Sequence, residues 1–143
     1  MGVELDHSFT MSHGAEGNFA TILDLERVIP CVEGGSVVEK TGDDSVKAEI
    51  KVKMGAMSMT FVGTVEVTEK DPAAHTATMA VKSREARGQG NASAVVSFKV
   101  SEDGGTIHTD ATITGKPASM GRGVIVGVLD GLINDFAGKL SQL

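Results

Sequence analysis

Val3, Leu5, His7, Phe9 and Met11 alternate with Glu4, Asp6, Ser8 and Thr10, and a period of two predicts a strand with one buried face. Across residues 15–23 the apolar positions Phe19, Ile22 and Leu23 take helical spacing, and Pro30 closes that region. One or two short helices therefore follow the first strand. The long middle of the chain is a run of strands cut by Thr41-Gly42-Asp43-Asp44, Glu69-Lys70-Asp71-Pro72, Arg87-Gly88-Gln89-Gly90 and Glu102-Asp103-Gly104-Gly105. Gly permits positive φ there, while Asp and Pro favour turn positions. Val46, Ala48, Ile50, Val52 and Met54 alternate with Lys47, Glu49, Lys51 and Lys53, an in-out pattern that predicts a half-buried strand. Met57, Met59, Phe61, Val65 and Val67 mark the inner face of the next, with Gly63 as a bend or bulge. Further strands are expected near residues 74–83, 92–100 and 106–114.

After Gly115 the period changes. Val124, Ile125, Val128, Leu129, Leu132, Ile133, Phe136 and Leu140 predict one long amphipathic helix, with Pro117 suited to its first turn. The order is strand, short helices, six strands, long helix. It predicts an α+β fold in which a curved seven-stranded antiparallel sheet wraps around the C-terminal helix, and residues 1–143 form one domain.

Composition adds three constraints. A net charge of −6 opposes binding to nucleic acid and to bare anionic membranes. The single cysteine excludes an internal disulfide and a paired-cysteine zinc or redox motif. Eighteen Gly and seven Met accompany only five Phe and no Trp or Tyr, so a core of small residues must either collapse tightly or leave a cavity. No basic, apolar leader opens the chain, and the apolar stretch from Val124 to Ile133 is too short to cross a bilayer and is broken by Asp130. A cytoplasmic protein is expected.

Several residues carry candidate chemistry. Gly121-Arg122-Gly123 opens a helix, but its third glycine is misplaced for a dinucleotide fingerprint. His108 and Asp110 share one strand face, and two ligands without a third read as an exposed polar face, so no metal site is expected. His7 shares its inward face with Leu5, Phe9 and Met11. Its alternatives are a hydrogen-bonded core histidine and a polar contact to a ligand. Cys31, after Pro30, reads as a buried structural thiol. Met57, Met59, Met79 and Met120 fall on inward phases beside Phe61 and Phe98, and flexible thioethers suit a pocket for a pliable apolar guest. Gly123, Gly127 and Gly131 form a stripe on the outer side of the long helix, read either as a weak helix held by packing or as a face for a docking partner.

Four segments carry a family resemblance: Asp24-Leu25-Glu26-Arg27-Val28-Ile29-Pro30-Cys31; Lys51-Val52-Lys53-Met54-Gly55 with Phe61-Val62-Gly63; Gly88-Gln89-Gly90-Asn91-Ala92; and Thr114-Gly115-Lys116-Pro117-Ala118-Ser119-Met120-Gly121. In this order they resemble the carbon monoxide dehydrogenase G-subunit family, within the START-like (Bet v 1-like) helix-grip superfamily. The chain departs from the family at Glu33, where proline is usual, and at Pro117, where an aliphatic residue is usual. The resemblance implies a non-catalytic accessory protein of a molybdenum-containing carbon monoxide dehydrogenase, holding a lipophile, with an isoprenoid quinone such as menaquinone as the specific expectation. It would link the dehydrogenase to the membrane quinone pool. The expected ligand-binding residues are His7, Phe9, Phe19, Met57, Met59, Phe61, Met79, Phe98, Met120, Val124, Val128 and Leu132, with Gly123, Gly127 and Gly131 as the docking face.

Two other readings stand beside this one: a ligand-free assembly or docking module, and a cyclase or hydrolase acting on an apolar ring, for which His7 is the inward titratable group. Relatives carry a C-terminal tail, and membrane attachment is expected through such a tail and not through these 143 residues. The loops around Gly55 and Gly88 and the start of the last helix are the expected mouth.

Overall fold

The computed structural model describes residues 1–143. Strand β1 (Gly2–Thr10) leads into helix α1 (Gly14–Leu23), the single turn α2 (Leu25–Val28) and a 3-10 turn at Ile29–Cys31. Strands β2 (Gly35–Gly42), β3 (Ser45–Met54), β4 (Met57–Asp71), β5 (Thr76–Glu85), β6 (Gly90–Ser101) and β7 (Gly104–Gly115) follow. A second 3-10 turn at Pro117–Met120 precedes the long helix α3 (Arg122–Leu140). All seven strands join one antiparallel sheet in the order β1-β7-β6-β5-β4-β3-β2. This is the expected helix-grip architecture. Because β1 pairs with the last strand, the chain must travel from one sheet edge to the other before β2. The short helices make that crossing.

The curl of the sheet follows from small side chains in register. Ala48 pairs with Gly63, Gly63 with Ser83, and Ser83 with Ala92, while Ala94 pairs with Ala111 one row away. At Gly63 the backbones of β4 and β5 close in so far that a Cβ would lie 1.8 Å from the Lys82 carbonyl oxygen. Only glycine fits such an approach. The expected bulge lies further along the strand, between Val67 and Glu69. Strand β4 also extends to Asp71, through most of the expected turn, and Asp71 Oδ1 accepts from the Ala73 and Ala74 N–H groups.

Helix α3 packs chiefly against β1. Two polar contacts fix it there: His7 Nε2 donates to Asp130 Oδ1 at 2.7 Å, and Arg122 Nη1 donates to the Gly2 carbonyl at 2.8 Å. This docking sets the helix rotation. Ile125, Phe136, Ala137 and Leu140 are its buried residues, while Val124, expected to face inward, is 43% exposed. The helix carries apolar residues over a wide arc, so periodicity alone placed the buried stripe too near Val124. Pro117 does not open α3; it opens the preceding 3-10 turn, and Gly121, with φ of +94°, separates the two. The buried core falls into two clusters, a larger one around Ile22, Phe98 and Leu140 and a smaller one around Val52, Met59 and Ile125.

Gly123, Gly127 and Gly131 lie exposed on α3, and a Cβ built on any of them meets nothing within 4 Å. Replacing Gly127 with Ala should therefore stabilise the protein by about 0.5–1 kcal/mol, because helical glycine carries an entropy cost that alanine does not. Gly63→Ala should prevent folding or destabilise severely. Urea denaturation of both variants checks the pair, and a loss of stability in Gly127→Ala would show that the outer face of α3 is already in contact with something.

Candidate functional site

The sheet's concave face and α3 border a half-open cavity of about 250 Å³, with a smaller lobe of about 170 Å³ sharing Ile50, Phe61, Ala94, Ala111, Leu129 and Leu132. A void that holds one water needs on the order of 10–15 Å³. The space is therefore no packing defect. Its origin is the row of small residues: Ala48, Gly63, Ser83, Ala94 and Ala111 all line the main lobe, where larger side chains would have filled it. Val28 of α2, Ile29 of the 3-10 turn and Val32 just after it close one side, and Leu129, Ile133 and Phe136 of α3 form the roof.

Of the residues expected at the site, Phe61, Met79, Phe98 and Leu132 line the main lobe, and Phe61, Val128 and Leu132 line the smaller one. The others lie off the wall for identifiable reasons. Phe9 covers Gly105 on the neighbouring strand, where a Cβ would come within 2.8 Å of its ring, and meets Phe98 edge-on at 6.4 Å. Phe19, on α1, stacks edge-on against His75 at 5.5 Å, bracing the β4–β5 turn. Met59 is buried in the smaller core cluster, and Met57 and Met120 pack against the same cluster. Val124 is turned outward. Among them the strand residues Phe9, Met57 and Met59 share the inward period of the wall residues, and the period does not say how far along the sheet the cavity extends.

His7 is inward, with its side chain only 6% exposed, but it meets Asp130 instead of the cavity. A carboxylate can only accept, so the Nε2 nitrogen carries the proton. Its Nδ1 is buried without a partner. Thr109, which periodicity did not single out, is the polar residue of greater interest. It lines the main lobe, is 5% exposed, and its Oγ1 has no hydrogen-bond partner. Register makes the two diagonal neighbours on the inner face, since Leu5 pairs with Thr109 and His7 with Ile107. Ser83, by contrast, spends its hydroxyl on the Ala92 carbonyl at 2.6 Å.

Glu85 is 1% exposed and was also missed, because the expected strand stopped short of it. Burial acts to raise its pKa, but the backbone N–H groups of Arg87, Gln89 and Thr60, helped by the Arg87 charge, hold the carboxyl below its ordinary value. Its Oε1 accepts from the Arg87 N–H at 2.8 Å, tying down the β5–β6 loop. His108 does not pair with Asp110. It bonds Asp6 at 2.7 Å across β1 and lies 3.5 Å from Glu4, and the bond to Asp6 raises its pKa. Cys31 is buried, donates to the Arg27 carbonyl at 3.6 Å, and is pushed upward chiefly by desolvation.

The model of the carbon monoxide dehydrogenase G-subunit (CoxG) family matches residues 8–143. No curated protein sequence matches this chain. Among solved structures, a conserved protein from Geobacillus kaustophilus superposes with a TM-score of 0.76 at 21% identity, covering 95% of this chain and 90% of that one. The Zhui aromatase/cyclase from Streptomyces sp. R1128 gives 0.60 at 13% identity, covering 98% and 94%. Ginseng major latex-like protein 151 from Panax ginseng gives 0.54 at 12%, covering 96% of each chain. At these identities the likeness is one of fold.

Two outcomes follow from the buried polar groups. Thr109→Val keeps the shape and removes an unpartnered hydroxyl, so the variant without ligand should gain about 1 kcal/mol, read as a higher Tm. Glu85 contributes stability that is fully present above its ordinary value of 4.5 and is lost as pH falls through its lower folded value. Glu85→Gln should therefore be less stable at neutral pH and lose less stability than the parent on acidification below about pH 4.5. Parallel denaturation curves for Gln and Glu across that range would contradict the assignment.

Proposed function

Because the chain belongs to the carbon monoxide dehydrogenase G-subunit (CoxG) family, we propose that it is a non-catalytic accessory protein of a molybdenum-containing carbon monoxide dehydrogenase. In this reading it holds an isoprenoid quinone such as menaquinone beneath α3 and connects the enzyme to the membrane quinone pool. The observation that carries the reading is an apolar cavity with one unpartnered hydroxyl on its wall. Eighteen of the 24 residues lining the main lobe are hydrophobic, and mostly apolar walls with a few polar groups are the usual character of a lipophile site. Thr109 Oγ1 would donate to a ring carbonyl, while Phe61, Met79 and Phe98 would pack against the ring and Leu129, Leu132 and Ile133 against the isoprenoid chain.

The absence of a ready catalytic group on the wall supports binding over turnover. Glu49 is the one ionisable residue among those lining the two lobes, and it sits in the outward phase of β3 between Ala48 and Ile50. His7 and Glu85 are engaged elsewhere, by Asp130 and by the Arg87 backbone. General acid or base chemistry needs a titratable group within hydrogen-bond reach of the guest.

Ala94 borders both lobes, so Ala94→Phe should fill the space and abolish binding while the fold survives. Native mass spectrometry and lipid extraction of protein purified from its own host should find a quinone in the parent and none in Ala94→Phe. Thr109→Val should bind carbonyl-bearing lipophiles about tenfold more weakly and a plain hydrocarbon probe equally well. Repeated extraction of the parent without any apolar guest would sink the reading.

A further inference from the structure

The net charge of −6 conceals a separation of charge along the molecule. One end of the sheet is bounded by the β3–β4 turn, the β5–β6 loop and the segment from β7 into α3. Residues 53–58, 84–90 and 114–124 there carry Lys53, Arg84, Arg87, Lys116 and Arg122, all exposed. The one carboxylate in these segments is Glu85, which is buried and bonded to its own loop. The opposite end carries Asp43 and Asp44 between β2 and β3, Asp71 at the end of β4, and Glu102 and Asp103 between β6 and β7, while the exposed Glu33 before β2 is the one further carboxylate in the loops at the basic end.

The basic rim is also partly apolar. Val124 is 43% exposed, and Met57 and Met120 are partly exposed where they pack on the smaller core cluster. Directly behind them lies the smaller lobe of the cavity, bounded by Met54, Ile113 and Ile125. Strands of 12 residues separate the two ends by on the order of 30 Å. That is several times the Debye length of about 8 Å at physiological salt, so the distant carboxylates do not cancel the rim's attraction for a nearby surface.

We propose that this rim docks the protein, cavity end first, onto an anionic lipid bilayer. Five exposed cations around one end of the sheet answer the charge of anionic headgroups, and the valine and thioether side chains of the same segments answer the headgroup and acyl boundary. The bilayer answers both and is where an apolar guest of the cavity resides. The purpose of docking rests on the lipophile-binding reading, whereas the docking itself does not. It runs against what total charge alone implies about this chain and anionic membranes.

The chain has no Trp, so Val124→Trp places a single fluorescent reporter on the rim. Its emission should shift to the blue with phosphatidylglycerol-rich vesicles at low salt, remain unchanged with phosphatidylcholine vesicles, and revert at about 0.5 M salt. Each rim cation should be worth about fivefold in affinity, so neutralising Lys53, Arg84 and Lys116 to Gln together should weaken co-sedimentation about a hundredfold. Lys40→Gln with Lys99→Gln, away from the rim, should change nothing. Failure to bind anionic vesicles, equal binding to both vesicle types, or an equal loss in the control variant would overturn the proposal. So would indifference to vesicles with rim-dependent capture of the dehydrogenase, which would make the rim a protein contact. Retention of an apolar probe by the triple variant in vesicle-free buffer separates the two claims. In the parent protein, probe uptake without vesicle binding removes the docking, and vesicle binding without any probe uptake removes the lipophile reading; the triple variant should keep the probe and lose the vesicles.

Discussion

The close approach of β4 and β5 at Gly63 is the constraint on which the rest of the molecule depends. With a Cβ excluded by the Lys82 carbonyl, the two strands can cross closely, and the sheet coils into an open trough. The small partners Ala48, Ser83 and Ala92 continue that row across the sheet. Helix α3 is then held along β1 by the His7–Asp130 and Arg122–Gly2 contacts. A helix anchored near one edge cannot also fill the middle of a trough floored with alanine, serine and glycine. The cavity is the geometric remainder of those two facts.

This arrangement divides the work between the ends of the molecule. The larger core cluster, with Phe9 over Gly105 and Phe19 against His75, supplies most of the apolar burial at the acidic end. The smaller cluster closes the basic end with flexible Met side chains and few aromatic ones. Packing of that kind opens at lower cost than a dense aromatic core. No helix is long and apolar enough to cross a membrane.

Thr109 Oγ1 and His7 Nδ1 are both buried and unpaired on the inner face of adjacent strands. Buried hydroxyls without partners cost stability that a valine would spare. Of the two, only Thr109 lies on the cavity wall; the His7 ring is held against α3 by Asp130.

The alternation in β1, β3 and β4 and the spacing of Leu129, Leu132, Phe136 and Leu140 determine the element types and their order, because burial on one face imposes its period locally. The absence of Trp and Tyr already posed collapse against cavity. Which inward residues reach the cavity was a tertiary decision. Phe61, Met79 and Phe98 differ from Phe9 and Met59 in register and in neighbours, not in period. The missed residues Thr109, Ser83, Ala94 and Ala111 look ordinary along the chain and acquire meaning when strand pairing lines them up. The turn of Val124 to the surface depended on how Asp130 meets His7, a contact between opposite ends of the chain. The basic rim was hidden for the same reason. Summed charge is a property of the sequence, but its separation arises when antiparallel strands carry alternate turns to opposite ends of the sheet.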